Sequence, residues 1–400
     1  MIEHILIALL LGLVAGTITG LIPGIHINLL ALLLFSSSVF FLRFTDPSVL
    51  VVFIVSMAIT HTFLDFLPSI FLGAPDEDTA LSVLPGHRFL LKGEAYGAVR
   101  LTMIGSFFGL LIALALAPFF IIVLPYFYPF LMKIVAFLLI AIILFLVFRE
   151  KKSKRIFAIF IFLLAGILGY ASLNFSLIKQ PLFPLFTGLF GASLLTMSIV
   201  KNVKIPEQKI KALKIKKKNI VQALGLSIFS SSLVSFLPGV GSSQAAVISS
   251  GFKKIDEKTF LVLLGAINTI VMILSFIVLY SVSKPRTGIA VFIGRFLKVF
   301  SEQQLWLFLA VALVAGSIAV FITFIFARIF SKNIIKINYK KLCLSVLIFL
   351  AFLVPILSGW LALLVFIAAA SLGILVSILG IRKMYLMGCL ILPIIIWYLV

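Results

Sequence analysis

The chain is short of charge. Of its 400 residues only 11% are Asp, Glu, Lys or Arg, while 63% are hydrophobic. A water-soluble domain carries roughly 25% charged residues, so a soluble globular protein is excluded: its polar surface could not cover this apolar content. Cysteine is nearly missing. Cys343 and Cys389 lie in separate apolar segments, which excludes a disulfide framework and a thiolate metal site. The four histidines, His4, His26, His61 and His87, have no metal-ligand spacing. Walker A, GxSxG, HExxH and CxxC signatures are absent, so the chain does not read as an enzyme and no metal or organic cofactor is expected. The period-2 alternation of a membrane β-barrel is also lacking.

What is plentiful is unbroken apolar sequence. Runs cover 5–22, 27–42, 48–72, 98–124, 126–148, 156–173, 181–200, 220–237, 242–252, 259–283, 304–327, 342–357, 360–379 and 384–399. Many approach the roughly 20 residues that cross about 30 Å of hydrocarbon as a helix. In lipid the backbone must satisfy its own hydrogen bonds, which leaves helices. An all-α polytopic membrane protein with about ten full spans is expected, multi-pass in the cell membrane of a prokaryote. The N-terminal MIEH carries an acid and no basic stretch, so 5–22 reads as part of the mature fold rather than a cleaved leader.

The charge that exists is one-sided. There are 33 Lys and Arg against 12 Asp and Glu, a net charge of +21. Nucleic acid is not the implied partner. Of the cations, 23 sit in five short connectors, 149–155, 201–218, 253–258, 328–341 and 382–383, the pattern of cytoplasmic loops under the positive-inside rule. The cluster Lys214, Lys216, Lys217 and Lys218 reads as a topogenic loop close to membrane lipid headgroups.

Two apolar pairs are broken by Pro-Gly. Pro23-Gly24 divides 5–22 from 27–42, and Pro238-Gly239 divides 220–237 from 242–252. Proline removes a donor and glycine frees the backbone, so each pair is expected as a re-entrant or broken-helix hairpin. The surrounding sequences match: GTITGLIPGIHIN against SSLVSFLPGVGSS, then AIT at 58–60 against AIN at 266–268, and HRFL at 87–90 against GRFL at 294–297. This reads as an internal duplication: an N-terminal transmembrane repeat 1–200 with hairpin 5–42, a basic cytoplasmic linker 201–219, and a C-terminal repeat 220–400 with hairpin 220–252. With the basic connectors on one side, an odd number of segments separates the hairpins, so the repeat is expected to have inverted topology. Segments 73–97 and 284–303 oppose the charge bias. The first holds Asp76, Glu77, Asp78 and Glu94, the second Lys284, Arg286, Arg295 and Lys298. Both are expected to fold back toward the protein interior.

Candidate functional residues fall in three sets. At the tips, Pro23, Gly24, His26 and Asn28 face Pro238, Gly239, Gly241, Ser242, Ser243 and Gln244. A break in mid-membrane frees N–H groups at the start of a half-helix, and two such starts make a site for a small organic anion; simple helix capping is the alternative. In the third segment Thr60, His61 and Asp65 include two ionisable groups at i, i+4 on one helix face, with Asn268 at the matching place in the second half. Ionisable residues inside a span are costly and point to function, here coupling to Na⁺ or H⁺; a structural His–Asp hydrogen bond is the alternative. Finally, Asp76 and Asp78, with Arg286 and Arg295 in the mate segment, suit a gate or anion pairing, against helix capping by the two acids.

The PG-centred hairpin LIPGIHIN, its second copy FLPGVGSSQAAV and the segment GAPDEDTALSVLPGHRFLLKGEAYGAV together resemble the large permease subunit of tripartite tricarboxylate transporters (TctA) over roughly residues 5–300. That family has a PGxG-type motif in each half and a Lys-led Gly/Ala stretch like that from Lys92 to Ala98. The resemblance implies secondary import of di- or tricarboxylates driven by an ion gradient, with a small membrane subunit and an extracytoplasmic binding protein as partners. The chain departs from the family in being short, in having His26 where glycine is expected, and in its Asp76-Glu77-Asp78 acids. Lys and Ile usage suggests an archaeon. The alternative function is a polyprenyl-phosphate (lipid carrier) translocase, which also suits inverted hairpins with Arg286 and Arg295 for a phosphate.

Overall fold

The computed structural model describes residues 2–22, 45–74, 79–201, 204–235, 242–252, 255–285, 287–297 and 299–399. Among them no strand occurs, and nine helices are long and apolar enough to cross a membrane. The chain is an all-helical, multi-pass membrane protein. The helices are α1 (Ile2–Leu21), α2 (Pro47–Leu64), α3 (Val83–Leu91), α4 (Ala95–Ala115), α5 (Ala117–Phe148), α6 (Lys152–Leu173) and α7 (Leu182–Val200), then α8 (Lys217–Val234), α9 (Ser242–Phe252), α10 (Glu257–Val282), α11 (Gly288–Phe296), α12 (Glu302–Asn333), α13 (Tyr339–Ser358), α14 (Ala362–Leu379) and α15 (Gly388–Leu399).

The scarce acids cluster at helix starts, where the positive end of the helix dipole favours them. Asp46 accepts from Ser48 N ahead of α2, and Asp256 accepts from Thr259 N ahead of α10. Glu3, Glu257 and Glu302 occupy first turns. Ser301 and Gln304 form a reciprocal capping box at α12.

Two boundaries differ from the apolar runs. The run 98–124 ends at Leu116, because Pro118 in the first turn of α5 restarts the helix there, and Pro125 and Pro129 lie inside α5. The two halves of α5 meet at 80° between Phe130 and Met132, next to a proline that cannot complete the helical ladder. The run 48–72 is interrupted at Asp65, after which Pro68–Leu72 forms a π-turn that ends at Gly73. Gly73 has φ of 66°, a left-handed conformation that favours glycine.

Lipid gives helices no hydrophobic reason to associate, so close packing of small residues does the work. Gly12, Gly16 and Gly20 form a stripe on α1 against Phe53 and Ser56, Met57 and Thr60, and Leu64 on α2. The register advances in the same direction along both helices, so α1 and α2 run parallel. Ser227 on α8 donates to Leu263 O on α10 at 3.2 Å, and Lys258 Nζ to Lys214 O at 3.1 Å, so these two also run parallel. Gly105 and Gly109 of α4 lie against Val262 and Ala266 of α10, while Gly316 of α12 lies against Ile59 and Phe63 of α2. A flanking group forms around α6, α7, α14 and α15, with Gly169 against Cys389 and Gly373 against Leu189 and Ser193.

The basic connectors meet at one end of the molecule. Gln208 accepts from Ala95 N at 3.1 Å and donates to Leu90 O at 3.0 Å, which ties the irregular stretch 204–216 to the α3–α4 turn. Arg88 pairs with Glu257. Arg382 pairs with Glu150 at 3.0 Å, and Lys154 Nζ donates to Gly380 O at 2.6 Å. Tyr339 and Ser198 flank His87, each at 3.4 Å. The opposite end carries the Ser48–Gln304 bond at 3.1 Å and the Lys179 N to Ser358 O bond at 3.2 Å. The described part of segment 73–97 therefore lies at the basic end, where Arg88 and Lys92 both face Glu257. α3 and α11 are both nine-residue helices with buried apolar faces, Phe89 and Leu90 on one and Ile289, Ala290 and Ile293 on the other.

Candidate functional site in the buried centre

Polar side chains gather where the two Pro-Gly flanks approach α2 and α10. Asn268 on α10 donates through Nδ2 to Asp65 Oδ2 at 2.8 Å and to Thr62 O at 3.3 Å. Its Oδ1 accepts from Ser242 Oγ at 3.5 Å. One amide thus uses its donors and its acceptor on three residues of two other segments, which sets its orientation. Asp65 and Asn268 are 3% and 2% exposed, so this is a hydrogen bond to a carboxyl group in a low-dielectric interior, where such bonds are strong and their loss expensive.

The local sequence explains why Asp65 stands there. It is the C-terminal cap of α2, with its N–H on His61 O at 3.0 Å. Pro68 cannot donate back to Leu64, so the helix breaks at the acid and re-forms as the π-turn. One turn earlier His61, 4% exposed, meets Thr19 of α1 through Nδ1 at 3.1 Å. Thr19 Oγ1 also donates to Gly16 O at 3.2 Å.

Of the residues anticipated for ion coupling, Asp65 and Asn268 are bonded to each other. His61 is one turn away, joined to α1. Thr60 is buried but donates to its own helix at Ser56 O, 2.8 Å. Ser242 joins Asn268 and Ser243 is fully buried beside it at the start of α9. Arg295 is exposed in the last turn of α11, at the end of the molecule opposite the basic connectors, and is not part of this cluster. Pro23, Gly24, His26, Asn28, Pro238, Gly239, Gly241, Asp76, Asp78, Arg286 and the side chain of Gln244 lie outside the described residues.

Three residues that tie the segments together here were missed from sequence. Thr19 was hidden within an apolar run, although it follows the Gly12–Gly16–Gly20 stripe that brings α1 against α2. Ser230 and Ser249, bonded at 2.7 Å, join α8 to α9 about two turns along α9 from Ser242; their only signal was serine enrichment in the SSSLVS and VISS stretches. No group of three or more His, Cys, Asp or Glu suited to a metal ion occurs among the described residues.

The pattern described as the tripartite tricarboxylate transporter TctA family matches residues 6–388. The chain belongs to the TctA family. It is also 30% identical over 406 residues to an uncharacterized protein of Methanocaldococcus jannaschii, covering 98% of this chain and 99% of that one. No solved structure matches it. As a TctA-family protein the chain is a transporter permease of a type that operates in tripartite systems with two further subunits. The buried centre is the part of this TctA member where polar chemistry from both ends of the sequence meets.

Proposed function

We propose that the chain is a secondary permease for small organic anions of the di- or tricarboxylate class, in the cell membrane of an archaeon, with the basic end in the cytoplasm. The carrying observation is the Asp65–Asn268 bond. It ties the N-terminal half to the C-terminal half at a buried point, and the segment before the first Pro-Gly break and the segment after the second reach the same cluster through Thr19 and Ser242. Substrate carboxylates would be held by the free amides of the two breaks, with Pro23, Gly24, His26 and Asn28 on one side and Pro238, Gly239, Gly241, Ser242, Ser243 and Gln244 on the other. Asp65, aided by His61, Thr60 and Asn268, would take the coupling Na⁺ or H⁺. Asp76, Asp78, Arg286 and Arg295 are assigned to gating.

An inverted repeat of 1–200 and 220–400 across the linker 201–219 is part of this reading. Packing supports it. The parallel pairs α1–α2 and α8–α10 are equivalent under the sequence match, and each half lends its next helix to the other: α4 to α10, and α12 to α2. α2 starts at the end carrying the Ser48–Gln304 bond and α10 at the basic end, so the paired elements point opposite ways. The partners are a small membrane subunit and an extracytoplasmic binding protein.

The test is uptake of labelled citrate and succinate into proteoliposomes under an imposed Na⁺ or pH gradient. Gradient-driven accumulation, lost when Asn28 or Ser243 is replaced by Trp, is expected. Absence of carboxylate uptake, with flipping of a polyprenyl phosphate instead, would replace this reading by the lipid-carrier one.

A further inference from the structure

At the basic end, apart from the buried centre, α3, α7, the start of α10 and the 380–384 turn line a half-open cavity of about 580 Å³. Its wall carries four cations, Arg88, Lys201, Arg382 and Lys383, and among the described residues no carboxylate lines it. Two of the cations are answered by acids outside the wall, Arg88 by Glu257 and Arg382 by Glu150. The Arg382 pair uses Nε, so the two terminal nitrogens of the guanidinium remain for another partner. Lys201 and Lys383 have no acid within ion-pair distance among the described residues.

Lys383 decides the matter. It is 9% exposed, and its ammonium gives one hydrogen bond, to Ser193 Oγ at 3.1 Å. An ammonium has three donors, and holding a cation out of water against a neutral hydroxyl is expensive. An anion entering the cavity offsets that cost. The wall also fixes what kind of anion. Beyond the cations it is mostly apolar, with Met197, Phe260 and Met384 partly exposed on it, which suits a headgroup attached to hydrocarbon better than a free ion. The cavity lies where the basic connectors gather, and basic pockets between spans at that level hold anionic headgroups.

We propose that this cavity binds the phosphate of an anionic membrane lipid, with Lys383, Lys201 and Arg382 on the phosphate and Met197 and Phe260 against the first acyl carbons. The site is independent of the transport reading and stands or falls separately from it.

The test uses the purified full chain, delipidated in detergent and titrated with phosphatidylglycerol or with phosphatidylcholine of matched acyl chains, read by melting temperature and by native mass spectrometry. Phosphatidylglycerol is expected to raise the melting temperature and phosphatidylcholine to leave it. Lys383→Met and Lys201→Gln are each expected to weaken the apparent affinity about fivefold, the loss of one cation at a headgroup. Lys340→Gln, an exposed lysine off the cavity wall, should not change it. Should Lys383→Met fail to fold, Lys201→Gln decides alone, because Lys201 is exposed at the rim. Equal shifts with both lipids, or wild-type affinity in the folded variants, would overturn the proposal. Inorganic phosphate reproducing the whole shift would overturn the lipid assignment in favour of a free anion.

Discussion

α2 and α10 are the two spans most completely enclosed by other helices. Both begin at an Asp cap and run parallel to the helix that precedes a Pro-Gly break. They differ in what they bring to the centre. α2 ends on Asp65 with His61 one turn earlier, whereas α10 offers Asn268 and Thr269. Both side chains can hydrogen-bond and can offer an oxygen to a cation, but only the carboxyl group can also bind a proton or carry a negative charge. Two spans packed alike thus carry unlike chemistry, and under the proposed function the asymmetry would concentrate ion coupling in the first half.

The comparison can be broken most directly at Asp65. Asp65→Asn keeps the shape and removes the ionisable group. Gradient-driven uptake in proteoliposomes should fall on the order of 100-fold, the upper end for losing a hydrogen bond to a charged group. If uptake survives, the asymmetry has no functional meaning. The double variant carrying Asp65→Asn and Asn268→Asp moves the acid to α10. Partial recovery would show that the pair matters and not its side, and a cycle of the two single variants should give a coupling of about 0.5–3 kcal/mol in stability.

Packing offers a second contrast. A side chain at Gly16 would meet the backbone of Met57, whereas Gly225 on α8 has open space around it. Gly16→Leu should cost about 1–3 kcal/mol or more as α1 is pushed off α2. Gly225→Ala should be neutral or stabilise by up to about 1 kcal/mol. Thermal denaturation of the two proteins in detergent compares them, and equal effects would mean that the glycine stripe of α1 has no special role.

The short helices sharpen the comparison further. His87 on α3 aligns with Gly294 on α11, so only the first half titrates there. Burial, and then the charge of Lys383, holds His87 down at about 4, below its usual 6.5. Between those values the unfolded chain binds a proton that the fold refuses, so stability is full above pH 6.5 and falls as the pH drops toward 4. The full span of the effect is roughly 3 kcal/mol. Denaturation of wild type and His87→Gln across pH 4–7 should show a steeper loss of stability toward pH 4 in the wild type than in the variant.

Much of this was readable in the linear chain. Run lengths predicted the helices, the charge of the connectors predicted that they would collect at one end, and the cost of an ionisable group in a span singled out Asp65 and His61. The match of AIT with AIN pointed to Asn268. Boundaries were less legible. Leu116 divides two spans inside what looks like one apolar run, because a proline's effect depends on where the preceding helix ends and not on composition. Thr19 and Ser242 could not be paired with His61 and Asn268 from sequence, since neither spacing nor hydropathy records which face of α1 or α9 turns inward. Lys383 looked like one more loop cation, and nothing in its neighbours showed that it would be buried against Ser193.

By itself the sequence determined the solvent. Too few polar residues to cover an apolar interior, arranged in membrane-length runs, leave helices in lipid as the one way to satisfy the backbone. The tertiary structure alone decided which polar groups meet: that Asp65 finds Asn268, 203 positions away, and that four cations close around one cavity. The reason is that lipid does not sort helix faces as water does. Partner choice rests on the close fit of small residues and on a few buried hydrogen bonds, and those are properties of two surfaces in contact.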